Sequence, residues 1–553
     1  MKMRRLRALV ASLAILTLVA GCGARTGDEG QQGSTGGPGG QQAAKQELVV
    51  NLGAEPPTMD PGLMEDHSSI TVATNIFEGL TRLNPDGKYE AAMAESWETS
   101  EDGLVWTFKL RDGIQWSNGD PVTAHDFEFA WKRALAPEFG SPYAYQLYYL
   151  KNGEKYNKGE ITDPDQVGVK ALDDKTLQVT LEAPTPYFLS LTAFPTYYPV
   201  PKKVVEANPN WAAEAATLVG NGPFKIVEWV HNDKLVIVKN ENYWDKDTVK
   251  LEKITFLMVP DGATNVTMFE NGEVDVNLGA IPQADLPRLL ASGDAKVTPQ
   301  LGTYYYIVNT TKPPFNDVRV RKALSLAIDR KAIVENVTRA GELPAYAFVP
   351  PGIPDVSGDF RQNAGNYISE DMEANIAEAK RLLAEAGYPD GKGFPPAVIL
   401  YNQEGAHQPV AEAIQAMWKQ NLGITNITLQ SQEWKVFLQT RHNLQYDIAR
   451  NGWLGDYLDP MTFLDMFTSD SGQNDTGWKS KEYDELIATA KRSADPQVRM
   501  EAMHKAEKML FDEAVVIPIY FYVNKFQEKP WVKGVLHPPI GAEDFKWAYV
   551  EAH

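Results

Sequence analysis

Residues suited to covalent or metal chemistry are few in this chain, and none is spaced for it. One cysteine, Cys22, and eight histidines are spread through 553 residues. No two histidines stand at the spacing that would put both on one helical face, and the single thiol excludes internal disulfides and Cys-rich metal sites. G-x-S-x-G, H-E-x-x-H, the Walker loop and a G-x-G-x-x-G after a strand are all missing. The segment Gly387-Tyr388-Pro389-Asp390-Gly391-Lys392 lacks the Ser or Thr after its Lys and reads as a turn. Asn84-Pro85-Asp86-Gly87 and Asp102-Gly103 read as hairpin turns, because the alternating oxygen ligands and terminal Glu of a Ca²⁺ loop are missing. No metal or cofactor is expected. The chemistry the chain does offer is recognition: 10% of it is aromatic, in clusters such as Tyr143-Ala144-Tyr145, Tyr304-Tyr305-Tyr306 and Tyr520-Phe521-Tyr522. Most of these rings belong to packed cores, and a minority can line a cleft for an organic ligand.

Such a cleft needs a scaffold, and the pattern is clearest in the C-terminal half. Ile376, Ala379, Leu382, Leu383 and Ala386 fall at helical spacing before the stop Gly387 and Pro389. A strand follows at Val398–Tyr401, then a helix with Val410, Ile414, Met417, Trp418 and Leu422 on one face, ending at Gly423. An alternating strand at Ile424–Gln430, a short helix at Trp434–Thr440 and a strand at Tyr446–Ala449 complete a β-α-β-α-β order. That order predicts a mainly parallel sheet with its ligand-bearing loops at one end. In the earlier half Val105–Leu110 and Lys234–Lys239 read as strands with one buried face, and the Pro-rich 184–201 stretch as connections. No 20–50-residue repeat is present, which excludes solenoids and propellers.

The N-terminus reads as an address. Met1–Arg7 is basic, and the apolar run Ala8–Ala20 is too short to span a ~30 Å hydrocarbon core, a signal-peptide pattern over residues 1–21. It ends in Leu18-Val19-Ala20-Gly21-Cys22, which resembles a bacterial lipobox; the resemblance implies cleavage before Cys22 and lipidation of that residue. Residues 22–46 read as a tether, with eight glycines between 23 and 40. Setting aside Lys2, Arg4, Arg5 and Arg7 leaves 49 of the 53 basic residues against 73 acidic ones, a charge of −24. A body so acidic repels phosphate backbones, which argues against nucleic acid as a partner.

An ordered set of segments resembles one family, the oligopeptide-binding proteins among the solute-binding proteins of ABC peptide importers (extracellular solute-binding protein family 5). The set runs from Phe77-Glu78-Gly79-Leu80 through Trp106–Gly113, Trp116–Gly119 and Pro121–Phe127 to Ser141-Pro142-Tyr143-Ala144. It continues with Asn221-Gly222-Pro223-Phe224, Thr303–Tyr306, Pro314–Arg321 and Ala449-Arg450-Asn451-Gly452-Trp453, over about residues 47–550. The resemblance implies an α/β, two-lobed periplasmic-binding-protein-like (type II) fold with an additional third domain. Domain I is discontinuous (47–78, 203–301 and 524–553), domain II covers 79–202, and domain III covers 302–523.

The resemblance also assigns a site. Asp456 matches the aspartate that pairs with a ligand's α-ammonium, although its place before a helix at Pro460–Phe467 equally suits a helix cap. Gly452, Leu454 and Gly302 match positions that hold an extended ligand by main-chain groups; enteric relatives carry a disulfide where Gly302 and Leu454 stand. Tyr143, Glu65 and His67 match further cleft positions, with His67 in place of an apolar residue, and Trp434, Trp453 and Tyr305 match walls of side-chain pockets. Arg441, Arg450 and His407 match positive groups that receive ligand carboxylates at different peptide lengths.

In function, the resemblance implies a monomeric receptor, lipid-anchored on the extracytoplasmic face of the cell membrane. It captures oligopeptides and delivers them to ABC permease and ATPase subunits with no covalent chemistry of its own. The same fold also serves dipeptides, nickel chelates, oligosaccharides and signalling peptides. A hydrolase with a hidden carboxylate pair and a surface adhesin are rivals from other classes.

Overall fold

The computed structural model describes residues 44–553; the signal run, Cys22 and most of the glycine-rich segment lie outside the described residues. The folded body starts slightly earlier than its sequence suggests. Gln46, placed in the tether above, donates to Val550 O at 2.9 Å and accepts from Val550 N at 3.0 Å, which fastens the first strand to the chain's far end. Among the described residues no helix is long and apolar enough to cross a membrane.

One mixed sheet organises the body. Its strands run in the order Ile427–Gln432, Ala397–Asn402, Ile448–Leu454, Lys296–Val308, Ile517–Glu528, Val276–Asn277, Glu47–Asn51, Lys253–Leu257, Lys234–Lys239 and Phe224–Val230, with Leu343–Pro344 added beside Ile517–Glu528. The expected β-α-β-α-β unit is present, and its three strands pair in parallel. The sheet as a whole is not mainly parallel, because Ile448–Leu454 then meets Lys296–Val308, which meets Ile517–Glu528, both antiparallel. These last two strands are long and join the two halves of the sheet. Their register breaks between Pro299 and Thr303, where Leu301 instead donates to Pro539 O and accepts from Gly455 N, both at 2.8 Å.

A separate antiparallel sheet comes wholly from residues 94–180, in the order Ala94–Thr99, Val105–Leu110, Thr176–Thr180, Val169–Asp173. Asp102-Gly103 makes the turn between its first two strands, as the sequence suggests. The helix Ala124–Leu135 packs on this sheet, with Trp131 fully buried and its Nε1 donating to Tyr197 O at 2.8 Å. The Pro-rich 184–201 stretch is more than connection, since it forms short helices at Phe188–Leu191 and Pro195–Tyr197 whose side chains are buried.

Local caps set the helices that carry the site. Asp66 starts His67–Ile76 by accepting from Ser69 N, and Glu433 starts Trp434–His442 by accepting from Val436 N. Gly423, at φ +74°, ends His407–Leu422 in the left-handed conformation that suits glycine, so the chain can turn into the next strand.

Candidate binding cleft

A cavity of about 360 Å³ lies over the C-terminal end of the Ile448–Leu454 strand. Its walls come from the start of the His67–Ile76 helix, the 193–198 segment, the Trp434–His442 helix, residues 450–456, and the loop 536–544 after the last long strand. Of the residues singled out above, Glu65, His67, Tyr143, Trp434, Arg441, Arg450, Gly452, Trp453, Leu454 and Asp456 reach this cavity.

The strand is open on one side where it faces the cavity. Gly302 to Tyr306 pair with Leu454 back to Arg450 along one edge, whereas the Ala397–Asn402 strand pairs with the other edge only at Ile448 and Ala449. From Arg450 onward a row of backbone donors and acceptors is therefore unclaimed by any strand among the described residues, a template for an extended chain.

A charge without a counter-ion stands at each end of that open stretch. Asp456 accepts from Gln146 Nε2 at 3.1 Å and Tyr143 Oη at 3.4 Å, both neutral. Burial, and then the nearby Asp465 carboxylate, hold the Asp456 carboxyl well above the usual range, the mark of an acid short of a cation. The helix-cap reading does not apply to its side chain; it is the Asp456 backbone that donates, to Thr462 Oγ1 at 3.0 Å. Arg450 is buried, its Nε has no hydrogen-bond partner, and its guanidinium lies 5.4 Å from the Tyr304 ring and 5.8 Å from the Trp434 ring. Among the described residues no carboxylate forms an ion pair with it; Glu404 acts on it only from beyond ion-pair distance.

Two of the three positive groups named from the sequence are engaged within the protein. Arg441 reaches the wall, but its Nε donates to Asp475 Oδ2 at 2.6 Å and its Nη1 to Asn451 Oδ1 at 2.8 Å, so its charge is already met. His407 is off the cavity wall. Its ring stacks on Tyr304 with centroids 5.6 Å apart, and burial together with the positive Arg450 and Lys525 pushes its pKa well below the ordinary value, which leaves the ring neutral.

Tyr305 and Gly302 also lie off the wall. Tyr305 is fully buried, edge-on to Phe348 at 4.9 Å and Phe467 at 6.4 Å, and is a core residue. Gly302 acts from behind: a Cβ there would stand 2.6 Å from Leu454 Cδ2 and 2.7 Å from Trp453 O, so only glycine lets the two strands close up beneath the cavity.

Glu65 and His67 on the wall have partners within the protein. Glu65 is bonded to His442 Nε2 at 2.8 Å and Gln473 Nε2 at 3.0 Å. His67 Nε2 lies 3.0 Å from Glu543 Oε2; burial disfavours the imidazolium, but Glu543 outweighs it and raises the His67 pKa. Glu543, His442 and the buried triad Glu78, Arg82 and Asp544 carry no signal in the sequence that joins them to a site, because, apart from the local Glu78–Arg82 pair, each meets a partner far along the chain. Among the described residues no group of three metal-ligating side chains could hold an ion.

Residues 88–475 match the family model of bacterial extracellular solute-binding proteins, family 5 Middle. The chain belongs to family 5 of the bacterial extracellular solute-binding proteins. This family-5 protein is a solute-binding receptor and not an enzyme, and its α/β architecture is that of the type II periplasmic binding proteins. It is 42% identical to the oligopeptide-binding protein OppA of Bacillus subtilis over 99% of this chain and 100% of that one. The crystal structure of Haemophilus influenzae OppA in complex with the peptide RPPGFSPFR superposes with a TM-score of 0.87 at 36% identity, covering 92% of this chain and 100% of that one. The Escherichia coli murein tripeptide binding protein MppA superposes at 0.86 in one structure, with 37% identity and 93% and 100% coverage. In its unliganded open form the same protein superposes at only 0.60, again at 37% identity, with 93% and 99% coverage. Since sequence and coverage are matched, the drop reflects how the parts of the fold are disposed, and the family-5 protein described here is not in that open arrangement.

Proposed function

We propose that this protein captures oligopeptides in the cavity and delivers them to an ABC permease. The peptide lies as an added strand along Arg450–Leu454, its α-ammonium on Asp456 and its terminal carboxylate on Arg450. The observation that carries this reading is the pair of uncompensated opposite charges at the two ends of one half-paired strand. A zwitterionic extended chain satisfies both charges and the strand edge together, while backbone pairing leaves the side-chain sequence broadly free.

Closure over the ligand requires a hinge between two lobes. The register break at Pro299–Thr303 supports placing the boundary there, with domain I at 47–78, 203–301 and 524–553, domain II at 79–202 and domain III at 302–523. Ligand contacts present only in the closed form drive the motion. Lipidation at Cys22 would hold this receptor, as a monomer, on the extracytoplasmic face of the membrane, its tether giving it reach to the permease.

Mass spectrometry of ligand released on denaturation, with tryptophan-fluorescence titration of tri- to pentapeptides, tests the reading. Intact peptides and saturable binding are expected. A diverse peptide pool that leaves the signal unchanged, or recovery of a different solute, overturns it. Metabolic labelling with palmitate, lost in Cys22→Ser, tests the anchor separately.

A further inference from the structure

One ionic contact joins parts of the chain that lie far apart in sequence and on different sides of the cavity. Glu65 precedes the His67–Ile76 helix, which comes after the strand Glu47–Asn51; His442 ends the helix that leads into Ile448–Leu454. Both oxygens of Glu65 lie 2.8 Å from His442 Nε2. On the other side of the ring, His442 Nδ1 lies 2.6 Å from Asp475 Oδ1, and Asp475 Oδ2 accepts from Arg441 Nε at 2.6 Å. A ring that faces carboxylates at both nitrogens must carry both protons, so the row Glu65, His442, Asp475, Arg441 alternates in charge and sums to zero. Three of its members share the half of the body that holds Ile448–Leu454, and Glu65 alone belongs to the other half.

We propose that His442 is a latch: as a doubly donating imidazolium anchored on Asp475, it grips Glu65 across the cleft and holds the closed form shut whichever ligand is inside. The inference rests on the reading of the cleft as one that opens and closes. It needs no peptide contact, since His442 does not reach the cavity and the carboxylate of Glu65, which does, is already occupied. Opening breaks the bonds of Glu65 to His442 and Gln473 and leaves the Arg441–Asp475–His442 part intact, so the anchor stays formed and re-engages on closing.

The surroundings keep the ring charged. Burial disfavours the imidazolium, but Asp475 and Glu65 outweigh it and raise the His442 pKa to about 10. The other titratable groups near this row are the Tyr143, Tyr305, Tyr446 and Tyr522 hydroxyls, all pushed upward by burial and therefore neutral, and the Asp66 carboxyl beside Glu65, which burial also raises. Closing tightens the grip on the proton because it adds Glu65 to the ring's partners. The latch is therefore fully formed at neutral pH and weakens as pH climbs toward 10.

Two variants, His442→Gln and Glu65→Gln, test this, with thermal melting to confirm that each is folded. Stopped-flow release of trialanine should accelerate by roughly 5- to 150-fold in either variant, the range of couplings between linked sites. The double variant should be no faster than the singles, and between pH 7 and pH 10 release should quicken more in the wild type than in either variant, beyond the acceleration that loss of the peptide's own α-ammonium proton gives to all of them. Small-angle scattering of the ligand-free protein should show a larger radius of gyration in both variants. Unchanged release and unchanged scattering, or single effects that add in the double variant, overturn the latch. If the wild type binds no trialanine, the peptide reading fails and the scattering comparison alone decides the latch.

Discussion

Asp456 and Arg450 face the cavity from opposite ends of the stretch where the Ile448–Leu454 strand has a partner on one edge only, and among the described residues neither is held in an ion pair. Buried unpaired charges are costly, so the empty cleft stores a penalty that a zwitterionic ligand removes.

Asp456→Asn should weaken tripeptides with a free N-terminus by about 3 kcal/mol, roughly 100-fold in Kd, and N-acetylated tripeptides by much less. The ligand-free protein should melt at a higher temperature, because the variant removes a desolvated carboxyl that has no cation. Since the Asp456 pKa stands well above the ordinary carboxyl value without ligand, and the ammonium requires the ionised form, wild-type affinity should rise with pH through the range above 3.8 and the variant's should not. Isothermal titration with the two peptide classes across pH checks all three; equal losses for free and acetylated peptides would remove the ammonium role.

Arg450→Met tests the opposite terminus. Free-acid tripeptides should lose roughly 100-fold, while their amides bind the variant about as well as the wild type. Arg450→Lys should restore only part of the loss, because an ammonium cannot offer a carboxylate the paired donors of a guanidinium. Arg441→Met should respond differently: it takes from the buried Asp475 one of its two cations, leaving only His442, and should lower the melting temperature whichever peptide is present.

Much of this site could be read from sequence where the signal is local. The helices at Met372–Glu385 and His407–Leu422 are set by apolar spacing, by Asp371 as a cap and by Gly423 as a stop, all within a few residues of one another. Asp456 and Arg450 share one short segment with the glycine and tryptophan that shape it, and the structure brings both to the cavity wall. The state of a side chain was not legible where its partner is remote. Arg441 meets Asp475 34 residues on, and His442 meets Glu65 at a separation of 377 residues. His407 looks like a cation until Tyr304 and Arg450 are placed beside it. The mixed character of the sheet depends on Lys296–Val308, whose register against Ile448–Leu454 no local periodicity reveals.

Gly302→Ala should act on binding through the strand beneath the cavity. The added methyl would stand 2.6 Å from Leu454 Cδ2 and 2.7 Å from Trp453 O, and the second of these is backbone that cannot rotate away. The strand must shift by a few tenths of an ångström, which misplaces the edge that a peptide pairs with. Overpacking of this kind costs about 1–3 kcal/mol, so both the melting temperature and the affinity for all peptides should fall together. Calorimetry and titration on one preparation decide this; a drop in stability with binding unchanged would show that the strand edge is not used.

Asp465 supplies a pH signature that does not depend on ligand. It is fully buried, its carboxyl oxygens accept no hydrogen bond, and Lys491 Nζ stands 3.2 Å away. Burial dominates and raises the pKa to about 6 in spite of that lysine, against an ordinary value near 3.9 when unfolded. Between those two values the folded state binds the proton that the unfolded state has released, so stability falls as pH rises through this window and the loss is complete above about pH 6. The shift corresponds to about 2 kcal/mol after allowance for a folded state that relaxes around the charge. Asp465→Asn should flatten the slope, leaving the part that Asp456 contributes, and melt above the wild type at pH 7, with Lys491, part-exposed, left to water. Calorimetric melts between pH 4 and pH 7.5 check this: parallel curves for the two proteins would mean that Asp465 does not titrate in that range.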